Sequence, residues 1–89
     1  MRLIRLGDNA HMLETSAGAV LFSYETLTAV LLYDATETAR GPRSAAFRSP
    51  AAIMSTATRA HLQRFYPLRI PPVLSGRQFA DLARRVLNG

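Results

Sequence analysis

The sequence predicts an α+β domain: a small antiparallel sheet of three to five short strands, followed by two C-terminal helices packed on one face. Three observations carry this. His11–Thr15 and Ala19–Tyr24 are β-rich runs flanking Ser16-Ala17-Gly18, a hairpin-length connection. In residues 55–66, Ser55, Thr58, Leu62 and Phe65 recur at i, i+3, i+7, i+10, the stripe of an amphipathic helix. Phe79, Leu82, Ala83 and Val86 recur at i, i+3, i+4, i+7 behind a helix-start signature.

Taken in order, residues 1–33 read as a β-meander. Arg2–Leu6 supplies an edge strand, and Gly18 ends the first hairpin loop where a left-handed residue is wanted. Leu27–Tyr33 is the next strand, set off by the polar break Ser23-Tyr24-Glu25-Thr26. Both alternating sets of these strands are apolar, so one sheet face should meet the helices and the other should be partly covered or contact another chain. From Asp34 to Pro50 the alternation dissolves, which predicts a loop with only Ala45–Arg48 able to form a short strand.

The helix of 55–66 stops at Pro67, and Leu68–Leu74 is kept extended by Pro71 and Pro72. Ser75 then opens the helix of 75–88. Its hydroxyl caps the first turn, Gln78 reaches back in a capping box, and Leu74 and Phe79 are placed as a hydrophobic staple. Leu21, Phe22, Val30, Leu32, Leu62, Phe65, Phe79, Leu82 and Val86 form the expected core.

At 89 residues there is room for a single domain with one core and not for a large enzyme with a lined cleft. With no cysteine, disulfide scaffolds and thiolate zinc sites are both excluded. The opening segment lacks an apolar export region and no run approaches the length of a membrane span, so the expected location is the cytoplasm. Charge is uneven. Residues 1–34 carry two arginines against four acids, whereas residues 35–89 carry nine against two. Such a basic half suits phosphate or an acidic protein surface, with Arg40, Arg43, Arg48, Arg59, His61 and Arg64 as candidate contacts. Eleven arginines and no lysine also match the codon bias of a GC-rich genome, which weakens the argument for selected phosphate recognition.

No catalytic, metal or cofactor constellation emerges. His11 and His61 lie 50 positions apart without a third ligand at helical spacing, no glycine-flanked serine marks a nucleophile elbow, and no phosphate-binding glycine loop is present. The remaining constellation is Ser55, Thr58 and His61, spaced by three along one helix edge. It reads either as a polar recognition edge or as a helix cap with a core histidine; capping needs no ligand and is favoured.

Phe22-Ser23-Tyr24, within Leu21–Thr26, followed by Ser55-x-x-Thr58-x-x-His61, resembles a family of short proteins of bacteriophages and other mobile elements. That family has an LFSY-[ET]-T segment ahead of an S-x-T-T-x-x-H segment, and the likeness spans residues 11–66. The chain departs from it at Ala57, where the family has Thr, and at Ala60, where it has Arg; Arg59 stands beside that position. The resemblance implies a phage or plasmid accessory protein, a class that commonly binds and disables a host or defence component.

Three functions follow as expectations. The first is a non-enzymatic module docking on a host or defence protein complex, in the manner of an anti-CRISPR inhibitor. The second is a nucleic-acid-binding accessory protein using the arginine-rich half, whose affinity would fall steeply with salt. The third is a homodimer formed through the surplus apolar strand face.

Overall fold

The computed structural model describes the backbone of residues 1–38 and 41–89, and the side chains of 1–33 and 45–89. Five strands, β1 (Arg2–Gly7), β2 (Ala10–Glu14), β3 (Gly18–Ser23), β4 (Thr26–Thr38) and β5 (Gly41–Arg48), form one antiparallel sheet in sequence order. Two helices follow, α1 (Thr56–Phe65) and α2 (Gly76–Asn88). The α+β class holds. Among the described residues, no helix is long and apolar enough to cross a membrane.

The two helices do not share a face. On one side of the sheet Ala19, Leu21 and Ala29 pack with Leu62 and Phe65 of α1. On the other, Val20 and Val30 pack with Phe79 and Val86 of α2. Successive strand residues point to opposite faces, so the doubly apolar pattern of β3 and β4 reflects a helix on each side. The surplus apolar strand face that suggested a second chain is therefore covered by α2.

The chain changes face at the end of β5. Arg48 N–H donates to the Pro72 carbonyl at 2.8 Å and Leu74 N–H to the Arg48 carbonyl at 3.2 Å, a short parallel bridge centred on Arg48 and Val73. Pro71 and Pro72 keep this crossing extended, and Pro71 is itself buried.

The loop expected over residues 34–50 is instead largely strand. β4 continues to Thr38 and pairs with β5 through Glu37 and Pro42 and through Thr38 and Gly41. The register of β3 with β4 ends at Leu32, Tyr33 N–H still donates to the Ala17 carbonyl at 2.9 Å, and the described pairing beyond that is with β5. Backbone pairing makes a strand here without the apolar alternation by which a strand is read from sequence. Pro42 is accommodated because β5 is an edge strand.

Gly18 is required on two counts. Its φ of 159° is a positive value that L side chains rarely adopt, and a Cβ there would stand 1.9 Å from the Leu31 carbonyl oxygen. Both helices begin as the sequence predicts. Ser55 Oγ accepts from Thr58 N–H at 3.1 Å and Ser75 Oγ from Gln78 N–H at 3.3 Å. The Gln78 side chain meets the Ser75 hydroxyl at 3.2 Å, and Leu74 and Phe79 join one apolar cluster.

Candidate functional site

The motif residues converge where the β3–β4 turn meets α1. Ser23 ends β3 on the α1 side, and His61 lies one turn after Thr58 on the buried stripe of α1. Ser23 Oγ and His61 Nδ1 are 2.7 Å apart, both residues being buried. Next in the chain, Tyr24 and Glu25 form the two-residue turn between the paired Ser23 and Thr26, with φ of 51° and 69°. Two positive φ values match the twist of a tight hairpin, a geometry normally given to Asn and Gly. Here the first position carries an aromatic ring that is 53% exposed and whose centroid is 5.6 Å from that of His61.

Tyr24 separates two grooves. The first, of about 240 Å³, is walled by Ala52 and Ile53 and lined by the hydroxyl residues Ser23, Thr28, Ser55 and Thr58. Thr26 adds a further hydroxyl residue. Three of the hydroxyls are engaged within the protein: Ser23 with His61, Thr28 donating to the Thr26 carbonyl at 2.9 Å and Ser55 to Thr58 Oγ1 at 3.1 Å. The second, of about 270 Å³, is lined by Asp8, Asn9, His61 and Arg64. Asp8 Oδ1 is held by Arg5 at 2.8 Å, and Arg64 Nη1 donates to the Leu6 carbonyl at 2.8 Å. The imidazole of His61 thus spans from a buried hydroxyl to a solvent-accessible groove.

A hydroxyl bonded to an imidazole is half of a nucleophilic arrangement. The acid that lines the second groove with His61 is Asp8, whose carboxylate is bound to Arg5, and the bond to Ser23 fixes the ring against which Tyr24 leans. Among the described residues, no three His, Cys, Asp or Glu side chains come together as a metal site.

The other candidates are dispersed. Arg48 is a structural residue: its Nε donates to the Pro71 carbonyl at 3.1 Å, anchoring the crossing between the helices. Arg59 and Arg64 are exposed on α1, while Arg77, Arg84 and Arg85 are exposed on α2, across the sheet. Arg40 and the Arg43 side chain lie outside the described residues. Phe22 points to the α2 side, away from Ser23 and His61, as its place in the α2 cluster shows. Ser55 and Thr58 are joined as a helix cap and also line the first groove. Asp8, Asn9, Thr28 and Ile53 were not singled out by the sequence. Thr28 had one visible signal, a polar residue inside an apolar strand run.

Comparison with protein-family models, curated proteins and solved structures finds no match to this chain.

Proposed function

We propose that this protein is a non-enzymatic accessory module of a phage or other mobile element that docks on a host or defence protein complex in the bacterial cytoplasm, as anti-CRISPR-like inhibitors do. The observation carrying this is Tyr24: an exposed aromatic ring on a turn whose backbone favours smaller residues, braced by His61 and adjoining the groove walled by Ile53, itself 81% exposed. Aromatic side chains beside water-excluding pockets dominate protein–protein affinity. The exposed arginines of α1 and α2 lie on opposite faces, a weaker fit to one continuous phosphate-tracking surface.

The test is affinity purification of the tagged full chain from the bacterial host, with and without nuclease, beside Tyr24→Ala and Ile53→Asp. A discrete protein that survives nuclease and is lost with either substitution supports docking at this site. Nucleic acid that disappears with nuclease or moderate salt would transfer the function to the arginine-rich half. Equal capture by all three chains would remove the Tyr24 site.

A further inference from the structure

We infer that the partner surface presents an extended apolar-x-acidic segment, its apolar side chain entering the groove beside Ile53 and its carboxylate meeting Arg64 on the far side of Tyr24. This rests on the docking reading and specifies the chemistry of its partner. The two grooves share Tyr24 but differ in charge. Apart from the phenol of Tyr24, the first is lined only by apolar and hydroxyl side chains, and the hydroxyls of Ser23, Thr28 and Ser55 are engaged within the protein. A charged group entering it would lose hydration without gaining an opposite charge, whereas an apolar group covers the exposed flank of Ile53.

The second groove has the opposite requirement. Asp8 is already paired with Arg5 at 2.8 Å, while Arg64 forms no ion pair among the described residues. The Leu6 carbonyl holds one Arg64 nitrogen at 2.8 Å, orienting the guanidinium with donors left for an incoming carboxylate. His61 adds an imidazole to the same wall. In an extended segment, residues two apart project to the same side, so i and i+2 can enter neighbouring grooves while the residue between them faces away.

The probe is acetyl-Gly-Leu-Ser-Asp-Gly-amide titrated into the ¹⁵N-labelled full chain, beside the same peptide with Lys for Asp. The Asp peptide should bind with Kd of about 1 mM, moving the amides of Tyr24, Thr28 and Ile53 together with those of Ala57, Ala60 and Arg64. The Lys peptide should bind roughly tenfold more weakly. Arg64→Gln should abolish that preference while the folded spectrum persists, and Arg59→Gln should leave it intact. Equal affinity for the two peptides, or shifts confined to α2, would overturn the inference. So would the absence of any shift; if the nuclease-resistant partner were still captured, the docking reading would stand without it.

Discussion

Ser23 and His61, 38 positions apart, meet at 2.7 Å between Oγ and Nδ1, and this buried bond ties the end of β3 to the inner face of α1. Among the described residues no buried side-chain polar atom lacks a partner, so removing either member leaves the other unsatisfied. Ser23→Ala and His61→Phe are each expected to destabilise by about 1–3 kcal/mol. The double variant should cost less than the sum, with a coupling of about 1 kcal/mol measured by chemical denaturation. Strict additivity would show that the contact contributes nothing. Arg59→Ala, at an exposed position of the same helix, should change stability by less than about 0.5 kcal/mol.

Phe79 is 5% exposed and packs with Val20 and Val30 through α2. Phe79→Ala should cost about 3–5 kcal/mol, lowering Tm by roughly 15–30 °C in a chain of this size. An unchanged melting curve would mean that α2 does not close its face of the sheet.

Gly18→Ala tests the close approach of β3 and β4. The added Cβ would lie 1.9 Å from the Leu31 carbonyl oxygen, which is backbone and cannot rotate away. A loss of about 2 kcal/mol or more is expected, read as a lower denaturation midpoint. Gly76→Ala, where the nearest neighbour of the new carbon would be Pro50 Cγ at 4.0 Å, is the tolerated control.

Tyr33 responds to alkaline pH. Its hydroxyl is pushed above the usual tyrosine range, first by burial and then by the charge of Glu14 and the 3.4 Å hydrogen bond to it, with Arg2 opposing. Because the folded value exceeds the unfolded one of about 10, Tyr33's contribution to stability is complete below that pH and is lost as pH rises through the folded value. Glu14→Gln should lower the Tyr33 midpoint followed by its ring carbon shifts, and Arg2→Gln should raise it. Movement of both in the same direction would refute this electrostatic assignment.

What was legible in the sequence follows from which interactions are local. The caps at Ser55 and Ser75 and the stripe ending at Val86 are written in consecutive residues, and the structure reproduces them. The apolar character of both alternating sets in β3 and β4 was also visible, but not that a helix covers each face, because that depends on the Pro71-Pro72 crossing beside Arg48. The outer pairing of β4 with β5 was missed because residues 34–38 and 41–44 carry no apolar alternation, and cross-strand backbone pairing leaves no local mark in the sequence. At the site, the motif marked Ser23, Tyr24 and His61, while the turn carrying Asp8 and Asn9 reaches them through the pairing of β1, β2 and β3 and the bond from Tyr24 N–H to the Asn9 carbonyl at 2.9 Å.

The turn at Tyr24 and Glu25 separates stability from recognition. Both residues hold positive φ without being Gly or Asn, a conformation that costs an L side chain about 1–2 kcal/mol. Glu25→Gly relieves that strain at the second position, at the expense of a more flexible unfolded chain, so it should stabilise by about 0.5–1 kcal/mol. Since Glu25 lines neither groove, partner capture should persist. Tyr24→Asn relieves the first position but removes the ring that leans on His61, so capture should fall whatever happens to Tm. If Tyr24→Asn retained full binding, the aromatic ring would be a tolerated strain in the turn rather than the anchor of the docking surface.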